Sequence, residues 1–108
     1  AGILSVSDSI YKNFNEMDII RGLVKLKWIP EILKAISQGN HRYSEILKEV
    51  PFISHTELNR KLALLVNKGV IIRQEKNNYI FYNLLDFGVE LLKLYLKLGE
   101  LEKRYLNN

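Results

Sequence analysis

A chain of 108 residues, 47% hydrophobic and 26% charged, has the size and composition of one globular domain with a single core and is too apolar to stay disordered. It has no cysteine, which excludes disulfides, thiol switches, thiolate metal sites and cysteine nucleophiles. No apolar run approaches the ~20 residues of a membrane span, and the first residues lack the basic region and apolar block of a signal peptide, so the expected compartment is the cytoplasm.

In chain order, Ser7 or Ser9 can cap a first helix, about 8–24, with Ile10, Phe14, Met17 and Val24 on one stripe and Ile19, Ile20 and Leu23 widening it. "LKWIPEILKAISQG" predicts a second helix, because Pro30 is tolerated in a first turn, Trp28, Ile32, Leu33 and Ile36 supply core positions, and Gly39 stops it. After a turn at Gly39-Asn40-His41, "RYSEILKEV" gives a short helix with Tyr43, Ile46, Leu47 and Val50 facing inward, ended by Pro51.

Pro51-Phe52-Ile53 is a turn, and "SHTELNRKLALLVNKG" is a complete helix in itself. Ser54 and Glu57 form a capping box, each bonding the other's backbone N–H; Leu58, Leu62, Leu65 and Val66 make the core stripe; Gly69 suits the left-handed residue that closes the helix. At ~100° per residue the opposite face carries Thr56, Arg60, Ala63 and Asn67, flanked by His55 and Asn59. No acid lies on it. Solvated faces usually mix both signs, so this one suits a polyanion. The charge distribution agrees. The whole chain is +4, but residues 25–73 hold nine bases against four acids, while residues 1–24 hold two against three and residues 74–108 five of each. A basic middle is what attraction to phosphate requires.

After Gly69 the period changes. "VIIRQ" and "YIFYN" read as strands joined by an "EKNN" turn, with Ile80, Tyr82 and Leu84 on the core side and Tyr79 and Phe81 left facing outward without a sequence-level reason. Asp86 caps a last helix in which Phe87, Leu91, Leu94, Leu98, Leu101 and Tyr105 form a heptad seam, and Leu92, Tyr95 and Leu96 add a second apolar side. One small domain cannot easily cover both sides. The surplus predicts a partner chain unless the N-terminal helix of the same chain covers it. The expected fold is therefore mainly α with a small β-hairpin: a single winged helix-turn-helix domain with extra N- and C-terminal dimerisation helices. The helix-turn-helix lies at about 43–68, the wing at about 70–83 and the terminal helices at about 8–24 and 86–106.

The stretch from Lys27-Trp28 through Arg42, Tyr43, Glu45 and Ile46 to Ile53-Ser54, Leu58, Leu62, Leu65 and Gly69 resembles the HxlR family of bacterial winged-helix transcriptional regulators. "YNLLDFG" is similar to that family's Tyr-x-Leu-Thr-x-x-Gly passage, with Leu85 in place of Thr, and the likeness spans about residues 23 to 98. The wing "RQEKNNYIF" is shorter than the family's, lacks its Pro-Pro pair, and resembles the wing of ArsR-type regulators. The cysteine that several relatives use to sense oxidants is absent, and no residue pattern identifies a small-molecule effector. The resemblance implies a homodimer, joined by its terminal helices, on an inverted-repeat operator in double-stranded DNA. It also implies roles for particular residues. Base contacts are expected from Ser54, His55, Thr56, Asn59 and Arg60, with Arg60 suited to guanine and Asn59 to adenine. Phosphate or wing contacts are expected from Arg42, Lys61, Arg73, Lys76 and Asn77. For Arg42 the alternative is an ion pair with Glu45, for Lys61 a snorkelling core edge, and for the wing tip plain solvation. The dimer interface is expected from Phe14, Met17, Leu91, Leu94, Leu98, Leu101 and Tyr105.

Catalysis has little support: His41 and His55 form no metal-binding helix motif, the glycines fall singly, and no cofactor or metal site is expected. The rival reading is a winged helix that docks proteins through its apolar surfaces and reads no operator; the basic middle of the chain weighs against it.

Overall fold

The computed structural model describes residues 18–106. Phe14, Met17 and the earlier part of the expected first helix lie outside the described residues. The elements are α1 (Asp18–Lys25), α2 (Ile29–Ser37), α3 (Tyr43–Glu49), α4 (His55–Asn67), β1 (Ile71–Lys76), β2 (Tyr79–Leu84) and α5 (Asp86–Tyr105). Among the described residues, five helices and one antiparallel hairpin in this order make a winged helix-turn-helix.

The core is centred on α2, whose Ile29, Ile32, Leu33, Ala35 and Ile36 are buried against Ile46 and Val50, Leu58, Leu62 and Leu65, Val70 and Ile71, and Leu91. Within α1 it is Leu23 that is buried, and Val24, assigned to the inward stripe on periodicity, is exposed. Trp28 precedes α2 in a left-handed conformation, φ 79, half-buried against the core with the Lys27 ammonium 4.7 Å from its ring centroid.

The wing is tighter than "EKNN" suggested. Glu75 and Lys76 continue β1, in register with Ile80 and Tyr79, so the turn is Asn77-Asn78 alone. Both take positive φ, 53 and 67, the left-handed pair that a two-residue type I′ hairpin needs and that asparagine tolerates. A single residue adds a partial third strand. The Tyr82 N–H donates to the His41 carbonyl at 2.7 Å, and the His41 ring Nδ1–H donates to the Tyr82 carbonyl at 3.0 Å. The imidazole stands in for a backbone donor, which fixes its tautomer.

Two caps differ from expectation. Asp86 is the first helical residue of α5, not its cap; Leu85 holds that position, and its N–H donates to the Val70 carbonyl at 3.0 Å. Asp86 acts instead through its charge at the positive end of the helix. At the start of α4, Ser54 Oγ accepts the Glu57 N–H at 3.1 Å, but Glu57 does not complete the box. Its carboxylate turns to Lys61 Nζ at 3.2 Å and Arg60 Nη1 at 3.8 Å, because two cations outcompete one neutral amide for a carboxylate. Buried Gly88 explains the glycine of "YNLLDFG": a Cβ there would overlap the Val70 carbonyl oxygen that Leu85 already uses.

Candidate nucleic-acid interface

The outer face of α4 is as free as the sequence implied: Thr56, Asn59, Arg60, Ala63 and Asn67 are all exposed. Arg60 has 72% of its side chain in solvent, and its contact with Glu57 is a long i,i+3 pair that a stronger acceptor can displace. Ser54 is exposed, and since its oxygen accepts the cap bond, its hydroxyl proton remains available for donation. Lys61 is placed differently from its expected role. Only 14% of its side chain is exposed and its ammonium is held by Glu57, so its charge is spent within the helix.

His55 is not a free side chain. The Tyr43 hydroxyl donates to the His55 carbonyl at 3.2 Å and accepts from the His55 ring Nδ1–H at 3.1 Å, and the two rings stack 5.9 Å apart at 20°. One hydroxyl proton cannot serve both bonds, so the ring must carry its proton on Nδ1, which leaves Nε2 as the outward acceptor in the neutral form. Burial pushes the Tyr43 phenol above its ordinary value, and Tyr82 adds in the same direction, so the donor stays protonated. The start of α4 is thereby fastened to the start of α3.

The Arg42 guanidinium does not pair with Glu45. The Arg42 backbone N–H donates to Glu45 Oε1 at 3.0 Å, capping α3, while the guanidinium lies over the Tyr79 ring, 4.3 Å from the centroid. Tyr79 and Phe81 face away from the core because Tyr79 is the platform for Arg42, with Phe81 tilted beside it at 6.5 Å. A stacked guanidinium keeps its N–H edge for phosphate. Arg73 pairs across the ladder with Tyr82, on the side of the hairpin that faces α4, and the two line an open groove with Asn59, Ala63, Val66 and Asn67. Lys76 and Asn77 stand exposed at the tip. The structure thus brings Arg73 and the outer face of α4 together along one groove, while Lys76 lines the other face of the hairpin with Gln74, Phe81 and Asn83. The roles of Tyr43, Tyr79 and His41 were not legible, although an outward Tyr79 with no core function was the signal for one of them.

Along α5, Leu91 is buried in its own chain, so it drops out of the expected interface seam. Leu94, Leu98, Leu101 and Tyr105 remain exposed, and from Leu96 to Leu106 every residue is exposed. Tyr95 marks the end of the packed part: its hydroxyl donates to the Leu23 carbonyl at 3.0 Å, and burial, with Glu31 adding to it, pushes its pKa up to about 12. Among the described residues no group of side chains is arranged to hold a metal, and no helix is long and apolar enough to cross a membrane.

Residues 23–108 match the sequence profile of the HxlR-like helix-turn-helix family. The chain belongs to that family. An uncharacterized protein of Methanocaldococcus jannaschii is 34% identical over 81 residues, which cover 68% of this chain and 66% of that protein, so the chain spans just under two thirds of that relative's length. Among solved structures, the reduced form of the transcriptional regulator YodB from B. subtilis superposes with a TM-score of 0.77 at 21% identity, over 85% of this chain and 93% of that one. The transcriptional repressor BigR from Xylella fastidiosa gives 0.66 at 16% identity, over 92% of each chain. At these identities the two likenesses establish the fold, a winged helix-turn-helix.

Proposed function

We propose that the protein is a sequence-specific DNA-binding transcription regulator of the cytoplasm, acting as a homodimer on an inverted-repeat operator. One observation carries the reading: the capped helix of a helix-turn-helix presents an exposed, acid-free face of Thr56, Asn59, Arg60, Ala63 and Asn67. Such a face fits the major groove, with Arg60 paired to guanine, Asn59 to adenine, and Arg42, Arg73 and Lys76 on the backbone. The family match supports it. The free half of α5 supports the dimer. An unpacked helical arm of this length is marginal in water, and Leu98, Leu101 and Tyr105 repeat at coiled-coil spacing along it. This chain offers no thiol as a sensor.

Selection from random duplexes, then gel shift in excess competitor and footprinting of the winner, tests the proposal. The expected footprint is palindromic, with half-sites about one helical turn apart, and binding falls steeply with salt. Enrichment of no sequence would end the reading, and a single unpaired half-site at saturation would end the symmetric dimer.

A further inference from the structure

Phe52 lies in the turn between α3 and α4, and folding gives no reason for it. The residue is 96% exposed, so the core gains nothing from the ring. Its backbone is at φ 70, in the left-handed region that strains a bulky L residue and leaves glycine unstrained. For the isolated fold, glycine is the better residue at this position. The ring is therefore free to act on something outside the chain.

We infer that the Phe52 ring is a specificity contact to DNA, packing on the C5-methyl group of a thymine at the edge of the groove that α4 enters. The inference rests on the regulator reading above. Phe52 is two residues before the cap Ser54, so the two Cα atoms lie within about 7.6 Å. Ile53 between them is buried, while Phe52 and Ser54 are exposed on either side of it. The ring therefore borders the same end of α4 that carries Ser54, His55 and Thr56. Its surroundings argue for nucleic acid over protein. A protein interface centres an aromatic anchor in a contiguous apolar patch, whereas the exposed neighbours here are Pro51, Ser54, His55 and Thr56 in the most basic part of the chain. The major-groove edge of DNA offers one apolar feature, the thymine methyl, and phenylalanine is among its partners. Hydroxyl, imidazole and guanidinium groups on α4 read hydrogen bonds; Phe52 adds the methyl.

The test compares Phe52→Gly, Phe52→Ala and Phe52→Tyr in the full chain. The measurements are thermal unfolding and affinity for the operator selected by the wild type, with each thymine of the half-site replaced in turn by deoxyuridine. Phe52→Gly is expected to raise the unfolding midpoint and still lose about tenfold in operator affinity, a gain in fold and a loss in binding that no structural role produces. Phe52→Ala keeps the strained backbone and loses the same tenfold; Phe52→Tyr keeps the ring and the affinity. Wild type should lose a similar factor on one deoxyuridine substitution, to which Phe52→Gly is indifferent. A Phe52→Gly chain that binds like wild type, or a wild type that ignores every missing methyl, overturns the inference while the regulator reading stands on Arg60→Ala. If the wild-type chain selects no sequence at all, the regulator reading fails first and the inference with it.

Discussion

Arg60 and Lys76 are both basic and exposed, yet their positions assign them different work, and removing each in turn separates reading from gripping. Among the described residues the Arg60 guanidinium pairs with Glu57 alone, at 3.8 Å and with 72% of the side chain in water. Exposed helix pairs of this kind contribute about 0.3–0.5 kcal/mol, and arginine and alanine differ little in helix propensity. Arg60→Ala should therefore leave the unfolding curve almost unmoved. On the operator, removing a bidentate guanine pair costs about 1–3 kcal/mol per half-site and relaxes preference at one base pair. That is several times the folding effect, so the two cannot be confused. Lys76 is at the wing tip, opposite Tyr79 in the ladder, and in the proposed complex its partner is the sugar-phosphate backbone alone. Lys76→Ala should weaken operator and random DNA by the same factor and lower the salt slope by about one for each phosphate no longer neutralised. Fluorescence anisotropy on the operator and on a scrambled duplex, across a salt series, reads both quantities. Equal weakening of both duplexes by Arg60→Ala would refute the assignment of base reading to the face of α4.

Leu94→Glu with Leu98→Glu should give a folded monomer, because both positions are already 38% and 41% exposed in the single chain yet several kcal/mol of charge burial arises in a paired seam; sedimentation at micromolar concentration checks it, and a monomeric wild type would refute the seam. Gly88→Ala should cost about 1–3 kcal/mol or more in denaturant unfolding, since the added methyl meets the Val70 carbonyl and backbone must move; an unchanged midpoint would contradict this close approach. Tyr95→Phe tests the tie between α5 and α1. The phenol titrates near 12 in the folded chain and near 10 unfolded, so its stabilisation is complete below about pH 10 and fades as pH rises toward 12. Tyr95→Phe should lose about 1 kcal/mol at neutral pH and shed part of the decline between pH 10 and 12; an alkaline profile parallel to wild type would exclude Tyr95 as its source.

What the sequence disclosed was written within one or two helical turns. Leu58, Leu62 and Leu65 of the expected stripe, the Ser54 cap and the left-handed Gly69 are local signals that hold in the structure, whereas Val66, assigned to the same stripe, is exposed beside the groove that Arg73 lines. The alternation of Ile80, Tyr82 and Leu84 placed the inner side of the wing for the same reason. Contacts between distant segments leave no such mark. Arg42 had a near acid, Glu45, and a far ring, Tyr79, and only the folded chain shows that the guanidinium takes the ring. The seam of α5 lost Leu91 because a heptad states that a position is apolar, not which neighbour covers it; Leu91 is covered by the core of its own chain.

Three consecutive residues explain how so small a domain ties the wing and α4 to one another. His41 bonds Tyr82 through both ring and backbone, Arg42 stacks on Tyr79 near the wing tip, and Tyr43 grips the ring and carbonyl of His55 at the start of α4. The wing and α4 are therefore both referenced to the N-terminal end of α3, a helix of only seven residues that buries Ile46 as its anchor. The hairpin is two-stranded and marginal by itself. Attaching it and α4 to the same three residues makes the spacing between α4 and the wing depend on one short segment, with the groove lined by Arg73 and Asn59 lying between them.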